Sequence, residues 1–480
     1  MVLIREGLEE HTNNIKKAFH QTSDLVIKKI NIGKTIQKEV HILYLRDIVD
    51  TMKIEETVIK PLLNLKDELK EKDLVEYLME DVLESSEVEK AENEERMVEG
   101  ITQGNAVLLC EQSREGIIVS TSKWAERSLE EAISERSSRG PVIGLTEKLA
   151  TNLNLIRSAL RTSDLFIETT EYGTFTKTQV AVLHVEGIVD EGILKVVKKR
   201  LKNINVKYLA TSKIIENALE GESRIFFSLA RQTDRIDGVV SALMEGRIVV
   251  IIEGIPYAII APALFVDFIQ GADEYHQNFG RVSNRTVRLV GFLLGIYLPG
   301  VFLALEKFHQ KDIPKKIADT LFSKEELLPT FWGIFILLLL LRALLDISFH
   351  LPKSSIILVS LLGTILIGET SVTAKLIHPV VLIVTTLTEV SNFLTLNRGL
   401  GTAQRVLQLT FLLTASFFGF TGLIIGNTIL IMYMVSLRSI GVPFLSPIIP
   451  FKLQEMKDVL YRGDLQKLIN SKHQYLEDRE

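Results

Sequence analysis

Glu389 stands with Thr385, Thr388 and Asn392 in the otherwise apolar stretch "LIHPVVLIVTTLTEVSNFL" (376–394), and the spacing puts all four on one face of a helix. A carboxylate in such surroundings must be protonated, paired or turned toward water. Two readings follow: Glu389 sits on an ion path, or it pairs structurally with Arg342 or Arg398. A second, less polar stripe runs through Ser360, Gly363, Thr364, Ile367 and Ser371, again at helical spacing. Repeated around a ring of subunits, that stripe would line a water-filled path in which Ile367 supplies an apolar constriction that gates by dewetting. Small residues also let helices pack closely, and the spacing fits that reading equally.

Catalytic chemistry finds no comparable pattern. "NIGKTIQ" (31–37) superficially suggests a phosphate loop, but the motif needs a glycine where Lys28 stands. Cys110 is the only cysteine, so a disulfide framework, a cysteine-based zinc site and a redox pair are excluded, and its neighbours read as a buried strand. The nine histidines lack metal-ligand spacing, and His184 reads as a packed or solvated strand residue. Basic residues form no nucleic-acid face, and the net charge of −5 argues against one. The expectation is a non-enzyme without cofactor or metal.

The elements that carry the two stripes are unlike the rest of the chain. Residues 289–450 hold 19 Asp, Glu, Lys and Arg in 162 positions, against 96 in the other 318. Apolar stretches at 289–305, 327–349, 354–368, 376–394 and 406–435 approach the roughly 20 residues that span a bilayer core. The last exceeds one upright crossing, and reads as one tilted helix or two halves broken near "FGFTG" (418–422). Arg281, Arg285 and Arg288 before the first stretch, the basic tail after Phe451 and the charged amino terminus predict that both ends are cytoplasmic. The crossings must then be even in number. Arg342 and Asp346 sit four apart within 327–349, which favours four crossings with this segment partly at the interface. The lysine-rich 306–326 loop would then face outward, against the usual charge rule. "SLRSIGVPFLSPIIPF" (436–451) reads as a membrane-interface anchor. Arg438 snorkels, Pro443, Pro447 and Pro450 stop the helix, and the segment runs extended along the surface with Phe444, Leu445, Ile448, Ile449 and Phe451 against lipid or protein.

The soluble half is internally duplicated. "TSDLVI" (22–27) recurs as "TSDLFI" (162–167), and "VHILYLRDIVD" (40–50) as "VAVLHVEGIVD" (180–190), both at an offset of 140. "EGITQGNAVLLCEQSREGIIV" (99–119) resembles "SALMEGRIVVIIEGIPYAIIA" (241–261) at an offset of 142. Short β-branched runs between amphipathic helices make each unit α/β. The expected organisation is subdomain 1 over 1–130, including an acidic solvated helix or linker at 85–100, subdomain 2 over 131–280, an all-α multi-span membrane domain over 281–451 and a cytoplasmic tail over 452–480.

Three long motifs carry a family resemblance: "RGPVIGLTEKLATNLNLIRSALRTSDL" (139–165), "TDRIDGVVSALMEGRIVVIIEGIPYAIIAPALFVDFIQGADEYHQNF" (233–279) and "SLRSIGVPFLSPIIPF". Over nearly its whole length the chain resembles the A subunit of the GerA-type spore germination receptors. The resemblance implies a two-subdomain α/β cytoplasmic region, a multi-span region in the spore inner membrane, and a complex with a transporter-like B subunit and a lipoprotein C subunit. It further implies a homo-oligomeric ring, plausibly a pentamer, that releases ions when B holds an amino-acid or sugar germinant. The chain departs from the family where a Glu-Arg-Pro-Asp pattern is usual and Asp234, Arg235, Ile236 and Asp237 stand instead, and where Val142 and Ile143 follow "RGP" in place of a charged pair. Both departures read as surface detail at a subdomain junction.

Overall fold

A computed structural model describes residues 2–33, 38–65, 74–85, 87–111, 113–124, 143–221, 226–271, 280–322, 326–352, 355–356, 363, 368–369, 371–394, 398–451 and 456. The chain forms an α/β region with two five-stranded sheets, followed by a helical region. Its first compact unit takes in Met1–Gly221 and Gln232–Pro262, and its second Glu222–Arg231 and Ala263–Ser471.

The duplication is structural. Strands β1 (Leu25–Ile32), β2 (Lys38–Leu45), β3 (Val88–Ala91), β4 (Ala106–Cys110) and β5 (Gly116–Val119) form a sheet of order β1-β2-β4-β5-β3. Strands β6 (Leu165–Tyr172), β7 (Thr178–Val185), β8 (Arg231–Thr233), β9 (Ile248–Ile252) and β10 (Ala258–Ala261) repeat the order as β6-β7-β9-β10-β8. The first sheet is covered on both faces, as side-chain alternation requires. Val40, Ile42, Leu108 and Cys110 join one apolar cluster. Leu43, Leu45, Val107 and Leu109 join the other, with helices α1 (Val2–Ala18) and α2 (Glu94–Thr102). The 85–100 stretch is therefore not simply a helix or linker. Val88–Ala91 pairs antiparallel with β5 as the edge strand, and Asn93 caps α2 by accepting from the Arg96 N–H. Its alternating charges belong on an edge that must stay soluble.

The second repeat carries helices α3 (Leu149–Ala159), α4 (Glu191–Lys202) and α5 (Ile236–Met244). Asp190 caps α4 by accepting from the Ile193 N–H. His184 is buried on β7, its ring 4.8 Å from that of Phe166 and its Nε2 3.0 Å from Glu186. The two "TSD" strings meet at the junction of the repeats. Ser23 N–H donates to Ile167 O (2.9 Å) and Ile167 N–H donates to Thr22 Oγ1 (3.0 Å). Arg157 from α3 then grips Asp24 bidentately, Nε to Oδ2 at 3.0 Å and Nη2 to Oδ1 at 3.1 Å, with both side chains buried. The position equivalent to Arg157 in the first repeat is the exposed Lys17, so the junction is not symmetric. The Asp234–Asp237 departure is not surface detail: Asp234 and Arg235 are buried, and Arg235 closes a bidentate pair on Asp237 (2.9 and 2.7 Å) at the start of α5.

In the second unit, α6 (Gly280–Phe308), α7 (Thr330–His350), α8 (Pro379–Leu394) and α9 (Arg398–Ser436) pack together. Among the described residues three helices, Arg285–Phe308, Thr330–Ile347 and Gly399–Ser436, are long and apolar enough to cross a membrane, and Pro379–Leu394 is a shorter apolar helix. Arg342 and Asp346 do not interrupt α7; they close an ion pair at 2.6 Å on its surface. Helix α9 is two helices. At Gly419 (φ 58°, ψ −139°) the backbone leaves helical geometry in a region that favours glycine, and the chain doubles back. A Cβ at Gly422 would meet the Thr414 carbonyl at 2.5 Å, and one at Gly426 the Phe411 ring at 2.8 Å, so arms 398–418 and 420–436 lie against each other. The alternative of two halves is the one observed.

Candidate functional site

The polar side chains of the second unit gather where α6, α8 and α9 touch. Close approach is built by glycine: a Cβ at Gly291 would meet Leu394 Cβ at 2.8 Å and Ser391 O at 3.1 Å, and one at Gly295 would overlap Gln404 Nε2 and Asn392 Oδ1. "GFLLG" (291–295) has the small-xxx-small spacing that lets helices pack backbone to backbone. That motif was the signal for this contact, and attention to polar residues alone passes over it. Gly300 continues the seam against Phe411 O, and Tyr297 Oη donates to Asn427 Oδ1 at 2.6 Å from the second arm of α9.

The expected stripe on α8 divides by role. Thr385 and Thr388 are fully buried, and their hydroxyls donate to Val381 O (2.9 Å) and Val384 O (2.7 Å) of their own helix. Back-bonding of this kind satisfies a hydroxyl away from water. Glu389, half-buried, hydrogen-bonds Asn392 and lies within electrostatic reach of the guanidiniums of Arg342 and Arg405. Arg405 is held by Gly401 O (2.8 Å) and Thr402 Oγ1 (3.3 Å). With the Arg342–Asp346 pair, two carboxylates and two guanidiniums balance one another across α7, α8 and α9. Among the described residues Glu389 closes no ion pair, Arg342 and Arg405 acting on it at longer range; sequence reasoning missed Arg405, and the side chain of Arg398 lies outside the described residues.

Of the other stripe, Ser360, Thr364 and Ile367 lie outside the described residues. Gly363 lies against α7, where an added Cβ would meet Leu344 Cδ1 at 2.8 Å, and Ser371 opens a short helical turn and is half-buried.

The segment after α9 corrects the expected extended run. Arg438–Ser439 and Val442–Pro443 pair as a tiny hairpin whose turn residues, Ile440 (φ 51°) and Gly441 (φ 91°), are both left-handed. Such a turn reverses the chain and sends Phe444 into protein, where it is fully buried among Phe227, Phe265 and Phe268. Phe265 N–H donates to Phe444 O (2.8 Å), Ala263 N–H to Ser439 Oγ (2.9 Å), and Ser439 Oγ–H to Leu229 O (2.6 Å). Leu445 and Pro447 are buried as well; Arg438, Ile448, Ile449 and Phe451 are exposed, and Pro443 and Pro450 lie between. The prolines therefore shape a plug more than a surface strip.

Comparison with known proteins places this architecture. The chain is 31% identical to spore germination protein KA of Bacillus subtilis strain 168, over 96% of this chain and 85% of that one. Spore germination protein B1 of the same organism is 30% identical, over 96% of this chain and 95% of that one. The crystal structure of the N-terminal domain of the A subunit of the Bacillus megaterium spore germinant receptor GerK3 is 26% identical, covering 53% of this chain and 94% of that one with a TM-score of 0.39. The model of the Bacillus/Clostridium GerA spore germination proteins matches residues 13–474, soluble and apolar halves alike, and the chain belongs to that family.

Proposed function

We propose that the chain is the membrane subunit of a nutrient germinant receptor that assembles into a ring and opens a path for ions when the receptor binds its germinant. The observation that carries this reading is the family match across residues 13–474, which takes in the duplicated region and the apolar helices together. Both ends face the cytoplasm of the spore's inner membrane, the duplicated region joins the ring, and a transporter-like B subunit and a lipoprotein C subunit complete the receptor. No cofactor or catalytic step is required. With Thr385 and Thr388 bonded to their own helix, the lining falls to the other stripe, Ser360, Thr364, Ile367 and Ser371, with Gly363 packed against Leu344 behind it.

The test is cation release from liposomes holding the full chain, with Thr364→Val and Ile367→Ser as opposed changes. The apolar replacement is expected to slow release and the polar one to raise basal leak, as expected of an apolar gate. Unchanged flux in both removes the path. A second reading, a non-conducting scaffold that transmits germinant binding, is favoured by the balanced Arg342, Asp346, Glu389 and Arg405 group. Particle mass in lipid separates the two, because a monomer cannot surround a path with one stripe.

A further inference from the structure

In the second repeat the turn between β6 and β7 carries exposed rings on a fixed support. Thr174 N–H donates to Val206 O (3.2 Å), Phe175 N–H to Lys207 O (2.9 Å), and Leu209 N–H to Thr176 Oγ1 (3.4 Å). On this support Phe175 is 82% exposed, the highest among the large apolar side chains described, and Tyr208 is 61% exposed. The chain reaches 206–208 from α4, whose Lys195, Lys199 and Lys202 share one solvent face. Lys195 is paired with Glu191 and Lys198 with Glu168. Lys177, Lys199, Lys202 and Lys207 form no ion pair among the described residues, although Glu171 stands exposed near the turn.

We propose that this patch binds the surface of an anionic phospholipid bilayer, with Phe175 and Tyr208 entering the headgroup layer and Lys177, Lys199, Lys202 and Lys207 meeting lipid phosphates. Charge complementarity and the outward rings argue together for that occupant. An acidic protein segment would use the lysines and leave the rings idle, whereas a bilayer interface takes both at once. The lipid contact does not depend on whether the protein conducts ions.

The experiment uses the full chain in neutral-lipid nanodiscs, with Thr174→Cys carrying an environment-sensitive fluorophore; the native Cys110 is buried. Added vesicles are phosphatidylcholine alone or mixed with phosphatidylglycerol, each with nitroxide-bearing lipid. Quenching and a blue shift are expected with the anionic vesicles and lost at about 0.5 M salt. Reversing the four lysines (K177E, K199E, K202E, K207E) should lower vesicle binding by about tenfold or more. Phe175→Ser should weaken quenching while the melting temperature holds, which guards against a folding artefact. Equal quenching by neutral vesicles, no lipid quenching at all, or binding indifferent to charge reversal overturns the proposal. A label shielded from iodide but not quenched by lipid marks a protein occupant and overturns it too.

Discussion

Asp47 stands at the junction of the repeats, where burial raises its carboxyl to about 6 and the nearby Asp24 charge adds to the rise against the pull of Arg46 and Arg157. A carboxyl raised on folding binds its proton more tightly in the native state, so ionisation opposes the fold above about pH 6 and protonation relieves it below. Asp47→Asn is expected to stabilise the protein by about 2 kcal/mol at pH 7.5, the gain shrinking as pH falls from 6 toward 4. Melting curves of the two proteins across that range check it. Arg157 is the opposite case: Arg157→Ala strands a buried carboxylate and should cost about 3–5 kcal/mol, measurable as a lowered thermal transition. Neither residue was legible beforehand. The "TSD" repeats were plain in the sequence, but a contact across 133 residues depends on how the repeats dock. Glu389 shows the reverse, because a lone carboxylate in an apolar stretch announces itself while its companion Arg405 declares its role only once α9 is placed beside α8.

The elements were largely readable. The short β-branched runs of the sequence, Val40–Leu45, Val180–Val185 and Ile248–Ile252 among them, lie in β2, β7 and β9, because a central strand covered on both faces leaves an unbroken apolar run. Edge strand β3 was hidden, since one exposed side admits enough charge to mimic a solvated helix. The break near 418–422 was among the alternatives read from the sequence, whereas the reversal itself rests on one glycine. Gly422→Val would force side-chain atoms onto the Thr414 carbonyl, already only 2.5 Å from an ideal Cβ. It should cost about 1–3 kcal/mol and lower the temperature at which the detergent-solubilised protein aggregates. Gly401→Ala, on the same helix with nothing within 4 Å of an added Cβ, should leave that temperature unchanged. The 436–451 hairpin was the chief misreading: proline predicted an extended strip, but two left-handed residues turned it inward.

For the whole molecule, internal similarity anticipated two sheets of the same order. Assembly is a separate matter. If the receptor reading holds, native mass measurement from lipid should give a closed multimer, and the deletion of 1–130 should lower its order or abolish it. The reversal at Gly419 carries a consequence for how the protein is made. From Val406 to Val435 the chain has no charged residue, so the stretch on either side of the pivot takes no charge through oil, Arg398 and Arg405 staying at the outer end of the first arm. Two greasy rods joined by a single pivot can slip into the lipid side by side as one wedge, and translation need not pause to thread a loop between them.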